Sequence, residues 1–351
     1  MKNRYLLLEN GKIFKGTAFG ADVPSTIGEL VFSTAVCGYI ETLTDKRYFG
    51  QIVLQTFPHI GNYGMINEDI TGDCFLNGYI VRDLCDAPSN FRTDTTLDAY
   101  LKKVGVPGIY GIDTREITKI IREQGVMNAI ICDTLPKTPS FDYSITDAVK
   151  YVTSDKLYDF THTNFKRSVV ILNNGMSDEL VKHLNDRNVS IMVLPYSASV
   201  TDIMSYNPDG IIISDGPGNP CDNNGEISVV SELIGKLPIF GVGLGHQIIA
   251  LALGGKTAKH KCGHHGSNQP VKDVGGTRTY ITSQNHCYVV LPDSVPCGKM
   301  SYVNINDQSC EGMDYPDKKA FTLQFMPEVS DSPNDMSFIY DRFVAMLGGE
   351  C

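Results

Sequence analysis

The feature that most constrains this chain is the run Pro238-Ile239-Phe240-Gly241-Val242-Gly243-Leu244-Gly245-His246-Gln247, followed by the apolar Ile248-Ile249-Ala250-Leu251-Ala252-Leu253. A short apolar strand, glycines at alternate positions and an apolar helix together specify a strand, a sharp turn and a helix. Such an elbow holds one side chain above the carboxyl edge of a parallel sheet, where a nucleophile would sit. The residue at that point is Gly243, which has no side chain. The architecture of an active site is present without its reactive atom.

Around the elbow the chain alternates strands with helices. Residues 168–172, 191–194 and 210–214 form buried strands. Between them lie a helix over 177–187, with Leu180, Val181 and Leu184 inward, and a short helix after Ser199. The third strand ends in Asp215-Gly216-Pro217-Gly218-Asn219-Pro220, and a helix over 227–234 leads to the elbow strand. Further strands at 278–281 and 320–325 and a helix over 336–346 close the chain. This alternation specifies an α/β domain with a mostly parallel central sheet flanked by helices, and a site at the carboxyl ends of its strands.

The first 150 residues have a different texture. Residues 5–14 form two short strands around Asn10-Gly11, a strong hairpin signal, and further strands cover 29–34, 51–56 and 78–83. Residues 35–41 form a loop turning at Gly38, and 57–64 an ordered loop. Helical spacing places Leu97, Tyr100 and Leu101 on one face of 96–104. In 113–125, Asp113 or Thr114 caps the first turn, Ile117, Ile120 and Ile121 form the apolar stripe, and Gly125 stops the helix. The expected organisation is a β-rich α+β domain over 1–150, a polar linker over 151–166 and the α/β domain over 167–351. At 351 residues the chain exceeds what one core usually serves.

A net charge of −10 with no basic stripe argues against nucleic acid as a partner. No apolar run reaches the ~20 residues of a membrane span, and the start lacks the pattern of a secretory leader. Ten cysteines stand singly with no C-x-x-C pair, as expected of buried small hydrophobes in a reducing cytoplasm.

Several motifs carry a family likeness. With Gly216-Pro217-Gly218, the elbow and Pro327-Glu328, the second half resembles a class I, triad-type glutamine amidotransferase. The first half resembles the leading domain of the carbamoyl phosphate synthetase small subunit. It does so through Gly38-Tyr39 with Glu41, Thr44-Asp45, Pro58-His59-Ile60-Gly61-Asn62, Ser89-Asn90-Phe91-Arg92 and Asp113-Thr114-Arg115. Gly263-His264-His265-Gly266, Pro270-Val271 and Gln284-Asn285-His286 extend the resemblance over essentially the whole chain.

The resemblance implies a subunit that hydrolyses glutamine and passes ammonia to a large subunit, which makes carbamoyl phosphate from bicarbonate and ATP. It implies no cofactor in this chain, because ATP and metal belong to the large subunit. The chemistry needs a cysteine thiolate at the elbow, a histidine base and an acid that orients it, with backbone N–H groups on the oxyanion. Carried over by position, the nucleophile falls on Gly243, the base on Met326 and the acid on Glu328. Glycine cannot form a thioester, and a thioether cannot accept a proton at neutral pH. Loss of nucleophile or base alone costs on the order of 10⁶ in kcat.

The resemblance also implies a glutamine pocket. Ala35 replaces a serine, and Cys287 and Tyr288 follow Gln284-Asn285-His286 where the family has a glycine and an aromatic. Gly216, Gly218, Leu244, Gln247 and Asn285 match. Asn173-Asn174-Gly175-Met176 departs from the family's first βα loop. The first expectation is therefore a small subunit that docks on a large one but no longer hydrolyses glutamine, with restoration through Gly243→Cys, Met326→His and Ala35→Ser. A second is a non-catalytic binding or regulatory module. A third is a hydrolase using Cys37 or Cys287, each expected in a loop and neither at a helix N-terminus that would lower its pKa. A metal reading of His260-Lys261-Cys262-Gly263-His264-His265 is weaker, because the resemblance makes it a metal-free loop.

Overall fold

The computed structural model describes residues 2–153, 156–161, 165–327 and 336–348, in two compact units: 1–145 with 261–266, and 146–260 with 267–351. The first unit is built on β1 (Asn3–Leu8), β2 (Ile13–Gly20), β3 (Ser25–Ser33), α1 (Tyr39–Thr44), β4 (Gln51–Gln55), β5 (His59–Ile60), β6 (Gly78–Ile80) and β7 (Asp83–Leu84). It continues with α2 (Leu97–Val104), β8 (Pro107–Tyr110), α3 (Thr114–Gln124) and β9 (Met127–Cys132). Seven of these strands close a barrel in the order β1-β2-β8-β6-β4-β3-β9, while β5 and β7 pair separately.

The barrel is filled by Leu6, Leu8, Leu30, Phe32, Ile52, Leu54, Ile80 and Ile109, and the stripe Ile117, Ile120 and Ile121 seals α3 onto them. Both helices begin at a side-chain cap, and of the two residues expected to cap the second it is Asp113 that does so. Thr96 Oγ1 accepts from Ala99 N–H at 3.2 Å, and Asp113 Oδ1 accepts from Glu116 N–H at 3.0 Å. Each ends at a glycine of positive φ, Gly105 and Gly125. The loop expected at 35–41 is corrected: it gives way at Tyr39 to α1, which Gly38 enters at φ 81°. Thr42 Oγ1 and N–H both return to the Gly38 carbonyl at 3.0 Å and close its first turn.

The second unit contains α4 (Ala148–Val152), β10 (Tyr158–Phe160), β11 (Arg167–Asn173), α5 (Asp178–Asn185), β12 (Val189–Pro195), α6 (Val200–Ser205), β13 (Gly210–Ile213), α7 (Asn224–Leu233), β14 (Ile239–Val242) and α8 (Leu244–Ala252). Then follow β15 (Lys256–Asp273), β16 (Thr279–Leu291), β17 (Lys299–Asn304), β18 (Cys310–Tyr315), β19 (Ala320–Leu323) and α9 (Phe338–Met346). They form a sheet in the order β10-β12-β11-β13-β14-β19-β18-β17-β15-β16, parallel from β12 through β19.

Alternate residues of β11 explain the two covered faces. Val170 and Leu172 join Ile203, Val230, Leu233, Ile248 and Ile249 from α6, α7 and α8. Val169 and Ile171 join Leu180, Leu184, Ile339, Tyr340 and Phe343 from α5 and α9. The family-like stretch at 260–265, expected as a loop, is instead part of the long strand β15. Its residues Lys261–Gly266 group with the first unit, where Lys261 O accepts from Val126 N–H and His265 O from Thr34 N–H. Residues 158–160, within the expected linker, pair antiparallel with β12 as an edge strand.

Candidate functional site

The elbow forms at the carboxyl end of β14, where α8 begins one residue after Gly243. Its glycines answer to specific contacts. A Cβ on Gly241 would lie 2.6 Å from Ile249 Cδ1 and 2.8 Å from the Gly245 carbonyl, and one on Gly245 would enter the Ile213 backbone. Close approach of α8 to β13 and β14 therefore excludes side chains at both positions. Gly243 itself sits at φ 54°, ψ −110°, the strained corner that aims a residue away from the sheet. Its N–H donates to Leu323 O at 2.8 Å, which ties the corner to β19.

The space in front of Gly243 is filled from within. Asp215 follows β13, and a Cβ built on Gly243 would overlap its carboxylate. Asp215 Oδ1 accepts from Leu244 N–H at 2.8 Å and from Gly216 N–H at 2.8 Å. The N–H of the residue after an elbow nucleophile is the donor that such sites offer to a developing oxyanion. Here a resident carboxylate holds it. Asp215 was not among the candidate site residues; its place directly before Gly216-Pro217-Gly218 was the available signal.

The position that the resemblance gives to the base is equally committed. Met326 is 5% exposed, and its N–H donates to Ser283 O at 3.1 Å in an isolated bridge to β16. Glu328 lies outside the described residues. Within the second unit, Gly216 is required because a Cβ there would meet the Asn174 backbone and side chain. Gly218 has φ 90° and faces Ala148. Leu244 is buried. Gln247 is also buried, with Nε2 donating to Tyr288 O at 2.8 Å and Gln324 Oε1 at 2.9 Å. Those bonds give it an internal cross-linking role between α8, β16 and the end of β19.

Asn285, Cys287 and Tyr288 all lie on β16, so Cys287 is a half-buried strand residue rather than the loop residue expected. Ala35 and the exposed Cys37 belong to the first unit, where Ala35 N–H donates to Ser33 Oγ at 3.3 Å.

Two buried titratable groups support the elbow. His246 is fully buried on α8, with Nδ1 2.7 Å from Thr322 Oγ1, and burial lowers its pKa to about 3. The imidazole is held neutral inside the core, against Thr322. Glu226 on α7 is raised to about 8 by burial, opposed by the hydrogen bond from Asn174 Nδ2 to Oε1 at 3.1 Å. Asn174 also donates its N–H to Ser214 Oγ at 2.9 Å. Asn173 Oδ1 accepts from Gly175 and Met176 N–H at 3.0 and 3.1 Å. The divergent first βα loop is thus built as an asparagine turn anchored on a neutral buried carboxyl.

Residues 6–131 match the family model described as carbamoyl-phosphate synthase small chain, CPSase domain, and residues 170–346 match glutamine amidotransferase class-I. Among curated proteins, the chain is 39% identical to the carbamoyl phosphate synthase small chain of Bacillus caldolyticus, over 98% of this chain and 96% of that one. It is 40% identical to the small chain of Fusobacterium nucleatum subsp. nucleatum, over 98% of each. Among solved structures, a glutamine amidotransferase from Thermotoga maritima aligns with a TM-score of 0.40 at 17% identity, over 47% of this chain and 78% of that one.

Proposed function

Since this chain belongs to the family of carbamoyl phosphate synthase small chains, we propose that it serves as a small subunit that has kept its place beside a large subunit and given up glutamine hydrolysis. The large subunit would draw on free ammonia, with the pair acting as a cytoplasmic heterodimer. The observation that carries this reading is the Asp215 carboxylate, which occupies the space in front of Gly243 and accepts from Leu244 N–H. Three requirements of thioester chemistry fail together. No sulfur stands at 243, no imidazole stands at 326, and a negative charge already holds the amide that a tetrahedral oxyanion would need. A carboxylate there also repels any oxyanion that forms nearby.

The buried sheet, the intact elbow and the closed barrel support a retained structural role, because nothing in them depends on the missing side chains. Co-expression with a large chain tests the reading. The expected result is a stable complex whose carbamoyl phosphate synthesis runs on ammonium chloride and gains nothing from glutamine. A glutamine-supported rate comparable to the ammonia rate would refute it. A chain that folds but never associates with a large chain would favour the non-catalytic binding module.

A further inference from the structure

The first unit carries a cleft of about 290 Å³ lined by Thr56, Thr114, Arg115, Thr118, Lys119 and Arg122. Five of these residues lie on α3, and Thr56 follows β4. No carboxylate lines the cleft. Arg115, Lys119 and Arg122 follow one another at spacings of four and three, so all three cations project from one side of the helix. On a chain of net charge −10 this is a local inversion of sign.

Two acidic residues at the start of the helix are engaged elsewhere. Glu116 pairs with Lys12 at 2.8 Å, and the Asp113 side chain caps the first turn. Lys119 reaches Glu123 only at 3.8 Å, with both side chains largely exposed, a contact worth little in water. Among the described residues neither Arg115 nor Arg122 makes an ion pair.

A second, independent observation is the Thr114 side chain. It is 1% exposed, and its Oγ1 has no hydrogen-bond partner among the described residues. A buried hydroxyl without a partner costs about 1–3 kcal/mol, which a ligand acceptor would recover. The neighbouring hydroxyls are already spent: Thr56 Oγ1 donates to Ser33 O at 2.9 Å, and Thr118 Oγ1 to Thr114 O at 2.8 Å.

From this lining we infer that the α3 cleft is a binding site for a small phosphate-type oxyanion, either inorganic phosphate or the phosphoryl group of a metabolite. Two guanidinium forks and one ammonium are donors only, and the free hydroxyl can donate beside them, so the occupant is rich in acceptors and negatively charged. Arginine forks match the tetrahedral face of a phosphate two oxygens at a time. The volume stands at the lower edge of small-molecule pockets and far below what a polymer needs. Helix α3 is held by its buried isoleucine stripe, so the three cations are positioned before any ligand arrives.

Isothermal titration of the full-length chain with inorganic phosphate tests the assignment, with chloride at matched ionic strength as control and a nucleoside monophosphate as a second arm. Saturable phosphate binding is expected, weakened about tenfold or more by Arg122→Gln, and likewise by Arg115→Gln. Thr114→Val keeps the side-chain shape, so it should leave the urea midpoint unchanged or raised while still weakening phosphate. A nucleoside monophosphate that binds more tightly through the same residues assigns the phosphoryl group to a metabolite. Heat no different from chloride, or variants that bind phosphate like the parent, would overturn the site. So would arginine variants that leave phosphate binding intact and release a co-expressed large chain, which would make the cleft a protein-docking surface.

Discussion

Replacing Gly243 with cysteine, the first step in restoring a nucleophile, should destabilise the protein strongly unless Asp215 is removed with it. The new Cβ would overlap the Asp215 carboxylate, which is fixed by hydrogen bonds from Leu244 and Gly216 N–H at 2.8 Å each. Moving that carboxylate breaks two charge-assisted bonds, each worth about 1.5–3 kcal/mol. Placing a non-glycine residue at φ 54° adds about 1–3 kcal/mol of backbone strain. Some of the bonding returns through water, so Gly243→Cys should lose on the order of 3–5 kcal/mol. In Gly243→Cys with Asp215→Ala only the backbone term remains beside the loss already caused by Asp215→Ala. A double-mutant cycle by urea denaturation should therefore give a coupling of at least about 2 kcal/mol between the two positions. The carboxylate should also keep the new thiol protonated, so alkylation at pH 7 should be faster once Asp215 is gone. Wild-type stability in Gly243→Cys, or a coupling near zero, would refute the claim that Asp215 fills the nucleophile's space. Restoration through residues 243, 326 and 35 leaves this carboxylate in place, so the same reasoning expects Asp215→Ala to be needed beside them.

Three further outcomes follow from the core around the elbow. Glu226 is raised in the folded state to about 8, so the folded chain holds a proton that the unfolded chain releases near pH 4.5; stability should fall from there to about pH 8, by on the order of 3 kcal/mol at pH 7, and Glu226→Gln should flatten that descent in urea midpoints taken across pH. His246 has the opposite sign, because its folded pKa of about 3 lies below the unfolded 6.5. Its contribution is complete above pH 6.5 and is lost as pH falls toward 3, so His246→Gln should reduce acid lability, and the two single variants should unmask slopes that offset each other between pH 4.5 and 6.5. Gly245→Ala should cost about 3 kcal/mol, the upper end of what overpacking a core costs, because its Cβ enters the Ile213 backbone; an unchanged thermal midpoint would contradict the close packing of α8 on β13.

What could be read from the sequence was what local chemistry decides. Asp113 caps its helix, Gly125 stops it, and the elbow glycines mark where a helix presses on a sheet. The strands that escaped notice are those defined by partners far along the chain. β15 is written in histidine, glycine, asparagine and proline, a loop-like composition that becomes strand through pairing, as in Val271 opposite Asn304. Cys287 was misplaced for the same reason, since β16 runs through a stretch expected to turn. The site was half legible. The glycine at 243 and the methionine at 326 stand in the sequence, but what fills the space in front of the first is a residue 28 positions upstream, brought there because β13 and β14 are neighbours in the sheet. The neutral states of Glu226 and His246 are likewise products of burial, which composition does not disclose.

The measurement that bears most directly on the proposed loss is glutamate release from glutamine by the purified chain, alone and in complex with a large chain. We expect no release above that of buffer in either state, and no change when saturating bicarbonate and ATP are added. Glutamate release that scales with this chain and is abolished by alkylating Cys37 or Cys287 would contradict it, and would place the nucleophile on a cysteine outside the elbow.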